Sequence, residues 1–143
     1  MSMDVPMGRV MDKTKVVVFC GSSRYVDIMA VAHWLVERDE QAIGMGLHLL
    51  PGWYCAEHIP DHLAEHEGVA DAMDALHMRK IDLCDEVFVV NFRDYIGSST
   101  RSEIEYAQKQ GKKIRWYTSD PIGRKVDKLI DSAILREAER AGK

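Results

Sequence analysis

Two short runs, Lys15-Val16-Val17-Val18-Phe19-Cys20 and Glu86-Val87-Phe88-Val89-Val90-Asn91, do most to limit what this chain can fold into. Each holds a continuously apolar, β-branched stretch with no polar residue at alternate positions. A strand with one wet face would alternate, so these two must be covered on both sides, as in the middle of a parallel sheet.

Around them, helical and strand patterns take turns. Spacing predicts a helix over 26–37, with Ile28, Val31, Ala32 and Leu35 as its buried stripe and His33 and Trp34 as boundary packing. Ala42 to Leu50 reads as a second strand, with Ile43, Met45, Leu47 and Leu49 on one face. Gly44 and Gly46 lie on the other, where something can approach the backbone closely. Pro51-Gly52 turns the chain, and the pattern is irregular to Gly68. Within that stretch Trp53-Tyr54 is read as a lid packed on the core, with stacking on a nucleobase as the rarer alternative. A helix over 69–83 follows, its inner edge at Met73, Leu76, Lys80 and Leu83. After the third strand comes a helix from about Thr100 to a C-cap at Gly111. A charged fourth strand, Lys113–Tyr117, suits a sheet edge. The last helix, over 123–141, places Val126, Leu129, Ile130, Ala133, Ile134 and Ala138 at three- and four-residue spacing. Such alternation predicts an α/β protein: a single doubly wound domain over 15–143, with a mostly parallel sheet of four to five strands. Residues 1–14 are expected to be a flexible tail.

At 143 residues one domain can bury a real core, and 29% charged with 46% hydrophobic residues is a globular balance. A net charge of −4 argues against broad nucleic-acid binding but leaves room for a small phosphorylated ligand. Cys20, Cys55 and Cys84 form no CxxC pair, which fits a reducing cytoplasm and excludes a structural zinc site recognisable from sequence. No stretch reaches the roughly 18 apolar residues of a membrane span, and no signal peptide precedes the first strand. A cytoplasmic protein with no membrane partner is expected.

The chemistry points to two matched loops. Gly21-Ser22-Ser23-Arg24 leaves the first strand and Gly97-Ser98-Ser99 follows the third, each leading into a helix. If those strands are neighbours, both loops meet at the carboxyl edge of the sheet, where open α/β sheets bind ligands. Their amides, hydroxyls and helix dipoles suit a phosphate monoester, with Arg24 or Arg101 adding a charged contact. Either loop alone is better read as an ordinary turn and cap; the matched pair favours a site. On a helical wheel at about 100° per residue, Glu103 lies roughly 70° from the Ile104–Ala107 core side and Glu105 roughly 130°. Glu103 should face the sheet and Glu105 the solvent. Thr100-x-x-Glu103 also reads as a capping box, which needs no catalysis and by spacing carries the greater weight. His58, His62 and His66 share a spacing that could bind metal on a helix, but Pro60 and the intervening charges favour a solvated face; no metal and no cofactor are assigned.

The segment Tyr95-Ile96-Gly97-Ser98-Ser99-Thr100-Arg101-Ser102-Glu103-Ile104-Glu105-Tyr106-Ala107 resembles the nucleoside 2-deoxyribosyltransferase superfamily. Within it, the chain is most similar to bacterial nucleotide N-glycosidases that release cytosine-type bases from CMP or hydroxymethyl-CMP. The likeness covers most of Lys15–Tyr117. It implies a flavodoxin-like sheet, a nucleophilic glutamate at Glu103, and a 5′-phosphate held by Ser98 or Ser99 with help from Gly21-Ser22-Ser23. It further implies an oligomer, expected here as a homodimer. Asp94-Tyr95-Ile96-Gly97 stands where the transferases carry Asp-x-Gly-Thr, and His77 falls where some relatives carry an aspartate near the sugar. Both departures favour the hydrolase over the transferase. The resulting expectation is hydrolysis of a nucleoside 5′-monophosphate through Glu103, with His77 or Asp94 orienting the sugar or moving a proton. A base-exchanging transferase and a non-catalytic nucleotide sensor are the alternatives.

Overall fold

The computed structural model describes residues 13–55 and 63–142. Its centre is a four-stranded, all-parallel sheet in the order β2-β1-β3-β4, formed by β1 (Val16–Gly21), β2 (Ile43–Met45), β3 (Glu86–Val90) and β4 (Lys113–Trp116). The two runs without a polar face are the two inner strands, paired in register with Phe19 opposite Phe88 and Gly21 opposite Val90. The charged fourth strand is at an edge, as its composition predicts.

Strand alternation sends neighbouring residues to opposite faces. Val17, Phe19, Phe88 and Val90 point to one face, covered by α1 (Val26–Glu40) and α6 (Pro121–Ala141). Val18, Cys20, Val87 and Val89 point to the other, covered by α4 (Ala70–Leu83) and α5 (Ser98–Lys109). Two short helical turns, α2 (Gly52–Cys55) and α3 (Leu63–His66), precede α4. Helices on both faces and this strand order make a doubly wound, flavodoxin-like α/β domain with four strands. Among the described residues no helix is long and apolar enough to cross a membrane. Of the expected tail, residues 1–12 lie outside the described part, and Lys13 pairs with Asp85 at 3.3 Å.

Several elements differ from expectation for identifiable reasons. β2 stops at Met45 rather than Leu50: the Gly46 carbonyl accepts from Lys80 Nζ at 2.9 Å instead of continuing the ladder. The close approach allowed at Gly44 is made by His33, whose ring would lie 2.4 Å from an added Cβ and which stacks on Phe19. On α4 the inward edge is His77 and Ile81, while Met73, Leu76 and Leu83 are exposed. The apolar residues were the wrong guide there, because a polar side chain, His77, is the one the sheet receives. α6 begins two residues early, at Pro121 capped by Asp120, and only its first half is core. At about 1.5 Å per residue its 21 residues outrun the short strands, so Leu129, Ile134 and Leu135 are exposed. Trp53 is exposed rather than packed as a lid, and Tyr54 donates to Glu67.

One buried ionic network ties the α1–α6 layer to the sheet. The Arg115 guanidinium makes a bidentate pair with Glu40 (2.7 and 2.9 Å), a second with Asp120 (2.9 and 3.1 Å), and a further bond to Glu86 at 3.3 Å. It also lies over the Phe88 ring. All five of its donors are used.

Candidate active site

In an open parallel sheet the ligand crevice forms where successive connections leave in opposite directions. α1 carries the chain outward from β1 to β2, and the return from β2 passes β1 to reach β3. The switch therefore lies between β1 and β3, and the loops leaving Gly21 and Val90 meet there, as the sequence predicts for neighbouring strands.

Aromatic and cationic groups join the two loops. Arg24 sits 4.6 Å above the Tyr95 ring, and the Tyr25 ring lies 5.1 Å from Phe92 and 6.2 Å from Tyr95. Gly21 packs closely, since a Cβ there would stand 3.1 Å from the Val90 carbonyl and 3.3 Å from Met29 sulfur. The Arg24 amide donates to Ser22 Oγ at 3.2 Å, capping the 3-10 turn Ser23–Tyr25. After β3, Arg93 and Asp94 both adopt left-handed backbone (φ 55° and 61°). Strain of this kind, on the order of 1 kcal/mol or more per residue, collects at binding loops. Asp94 is exposed and touches neither Glu103 nor His77 through any hydrogen bond.

Ser98 and Ser99 open α5 and are exposed. The cap of that helix is Gly97, which has no side chain to offer, so the first-turn amides have no side-chain partner. The capping box read from Thr100-x-x-Glu103 is therefore not formed: Thr100 is the third helical residue and is buried. Glu103 correspondingly lies in the second turn, beyond the first-turn amides that could have held it ionised. Its facing is as the wheel predicts. Glu103 is 7% exposed toward the sheet, and Glu105 is exposed to solvent.

Two groups meet Glu103 beneath the loops. Cys20, the penultimate residue of β1, has its Sγ 3.2 Å from His77 Nε2, and His77 Nε2 is 3.8 Å from Glu103 Oε1. Burial dominates the charges here. It lifts the Glu103 carboxyl to about 7, opposed by a hydrogen bond from Cys20 and aided by Asp74. It lowers His77 to about 4, with Lys80 contributing, and raises the Cys20 thiol well above its usual value. At neutral pH the His77–Glu103 contact is thus no ion pair, because the imidazole is neutral. His77 Nδ1 is buried without a partner. An orphaned lone pair costs less than an orphaned N–H, so the proton belongs on Nε2. That gives the 3.2 Å contact a direction: His77 Nε2–H donates to Cys20 sulfur, which leaves the thiol hydrogen free to turn toward a Glu103 oxygen within 4.8 Å of the sulfur.

The same three donor atoms lie within 4.8 Å of one another, close enough for a metal. Their chemistry argues otherwise. A metal on Nε2 would move the proton to Nδ1, where no acceptor orients the ring, and metal-bound histidines depend on such an acceptor. Burial also holds the thiol proton that a metal would have to displace. Of the histidines considered from sequence, His58 and His62 lie outside the described residues.

No family model, curated protein or solved structure matches this chain. What the site can do therefore rests on its own residues. The structure brings Glu103 and His77 together and sets the Gly21–Tyr25 segment against Val90, Phe92 and Tyr95, the stretch that leads into Gly97–Ser99. It leaves Asp94 on the rim, and it adds Cys20, Tyr25 and Tyr95, which the sequence did not single out. Cys20 is marked only by its alternation with Phe19, a signal that means something once the face of α4 is known.

A stability consequence follows from burial. Unfolded, Glu103 titrates near 4.5; folded, near 7. The native state keeps a proton the unfolded chain has lost, so stability falls as pH rises from about 4.5 through 7, by up to roughly 3 kcal/mol at about 1.4 kcal/mol per unit. His77 works in the opposite sense, losing stability as pH falls from 6.5 through about 4. That contribution is present with or without Glu103. Urea denaturation of Glu103→Gln against wild type should show the variant more stable at pH 8, with the gain shrinking toward pH 5. A difference independent of pH would mean the carboxyl is not held protonated by burial.

Proposed function

We propose that this chain hydrolyses the N-glycosidic bond of a nucleoside 5′-monophosphate, CMP or a modified CMP, to free base and (deoxy)ribose 5-phosphate. The observation that carries the reading is the Glu103 carboxyl, buried beneath the crevice between the β1 and β3 loops and titrating near neutrality. The resemblance of Tyr95–Ala107 to the nucleotide N-glycosidases supplies the reaction type, and the crevice supports it.

In this mechanism a Glu103 oxygen bonds to C1′ as the C1′–N bond breaks, the base leaving with the electron pair and taking a proton from solvent. Water then adds to C1′ of the glycosyl-enzyme, its proton returns to solvent, and Glu103 is released as a carboxylate. The uncapped first turn of α5, Ser98, Ser99 and Arg24 form the phosphate end. Holding the phosphate far from C1′ turns binding into placement of the reacting carbon. His77 is neutral near pH 7, so it is no imidazolium donor; Asp94, exposed in the loop after β3, accepts from sugar hydroxyls in this reading.

Chromatography of CMP, dCMP and the other common monophosphates incubated with the protein tests the reading directly: free base should appear. Exchange onto an added second base would instead make the chain a transferase. A nucleotide bound but uncleaved would make it a sensor, a reading in which Glu103 has lost the capping role that supported it. Replacing Ser98 and Ser99 together by Ala should lower kcat/KM for monophosphates by roughly tenfold or more, from the loss of hydrogen bonds to a charged group. Cleavage of the corresponding nucleosides should change little. Equal losses on both would remove the phosphate from that end of the site.

A further inference from the structure

We propose that Cys20 is a positioning residue for Glu103: its thiol, itself held by His77, donates to the Glu103 carboxyl and fixes how that group is presented to the crevice. The catalytic consequence rests on the glycosidase reading above; the contact itself does not.

Three observations carry it. Cys20 is fully buried at the carboxyl end of β1, one residue before the loop that forms half the crevice, so its sulfur is set by the sheet and not by a mobile side chain. His77 Nε2 lies 3.2 Å from that sulfur and, carrying the proton, can only donate to it. The thiol hydrogen is then free to turn to the Glu103 carboxyl, since the sulfur, Nε2 and a carboxyl oxygen all lie within 4.8 Å of one another. A glutamate has three rotatable bonds, and without a fixed partner its carboxylate would sample orientations that miss C1′. Misplacement by about 1 Å costs on the order of a hundredfold in rate. The chain His77→Cys20→Glu103 runs from α4 through β1 to α5, so three elements fix one carboxyl group.

The ionisable groups facing Glu103 are Cys20 from β1 and His77 and Asp74 from α4, while β3 presents Val87 and Val89. Asp74 disfavours the ionised carboxylate and the Cys20 hydrogen bond favours it. Removing the thiol donor should therefore make Glu103 harder to ionise as well as less well aimed.

The test compares wild type, Cys20→Ala and Cys20→Ser as full chains, with circular dichroism and thermal melts to establish folding. For CMP, Cys20→Ala should lower kcat by roughly tenfold to a hundredfold with KM within about threefold. The rising limb of its kcat/KM–pH profile should move to higher pH. Cys20→Ser, whose hydroxyl can also donate, should recover most of both. Loss in Cys20→Ala without recovery in Cys20→Ser, and with the limb unmoved, would show that Cys20 only fills space and would overturn the proposal, as would an unchanged Cys20→Ala. An activity-free measurement keeps this separate from the reaction: the infrared carboxyl titration assigned to Glu103 by its absence in Glu103→Gln. A higher midpoint in Cys20→Ala supports the contact even if wild type cleaves no nucleotide, an outcome that would count against the glycosidase reading alone. An unmoved midpoint in a folded Cys20→Ala protein overturns the contact.

Discussion

Glu103→Gln is expected to lose base release from CMP by roughly a thousandfold or more while still binding the nucleotide, and Glu105→Gln to stay within a few-fold of wild type. The asymmetry follows from facing: Glu103 is buried under the crevice and Glu105 stands in solvent on the same helix. Loss of a nucleophile removes a bond formed on the reaction path, and effects of that size accompany such losses in other covalent mechanisms. Binding should survive because the proposed phosphate end, at Ser98, Ser99 and Arg24, uses different side chains. The pH profile gives an independent reading of the role. A nucleophile must be ionised, and Glu103 titrates near 7 in the free protein. kcat/KM should therefore rise with pH through about 7, since that ratio reports groups of the free enzyme. A profile that falls through 7 would make Glu103 a proton donor instead. Equal base release by wild type and Glu103→Gln would remove it from the chemistry altogether.

Arg115→Ala is expected to destabilise the fold by about 3 kcal/mol or more, seen as a lowered midpoint in urea or heat. Removing the guanidinium takes the shared donor from Glu40, Glu86 and Asp120, all of them largely withdrawn from water, and leaves Glu40 and Glu86 with Lys15 (3.2 and 3.5 Å) and Asp120 with the Ile122 amide. Breaking a buried charge network by deleting one partner typically costs about 3–5 kcal/mol, more than the network contributes over an apolar replacement, because the remaining charges stay buried; Lys15 and the Ile122 amide hold the loss to the lower end of that range. Arg115→Met, which keeps packing on Phe88 but strands the same carboxylates, should be little better. If instead the loss is within about 0.5 kcal/mol, the network is too hydrated to matter. Acid should erode the same bonds. Arg115 holds the Glu40 carboxyl below its usual range and outweighs the burial that would raise Asp120. Groups with lowered folded values stabilise above their unfolded pKa and lose that contribution as pH falls through the folded one.

Much of this architecture was legible in residue types. Val16–Phe19 and Val87–Val90 announce inner strands because no alternate position can face water, whereas their being neighbours comes from the fold. The wheel separated Glu103 from Glu105 because Ile104 and Ala107 mark the buried side unambiguously. Other residues could not be read this way. Arg115 looked like an edge charge, since nothing local says that Glu40 and Asp120, from two different helices, converge on it. Cys20 looked like one more small apolar residue of a strand. On α4, Met73 and Leu76 outweighed His77 in hydrophobicity, and only the presence of Cys20 and Glu103 across the interface explains why the imidazole faces inward. In each case the missing information is a long-range pairing.

The alternation along β1 and β3 has a further consequence for how the protein can be changed. Phe19 and Phe88 belong to the layer stapled by Arg115, and Cys20 and Val89 to the layer that holds Glu103. The sheet is thus a partition between a side tied together by the Arg115 network and a side that carries the proposed site, and successive residues of one strand belong to different sides. Substitutions chosen to harden the protein can be confined to the α1–α6 layer. There they should add independently to changes in chemistry made across the sheet, as distant sites without shared partners generally do.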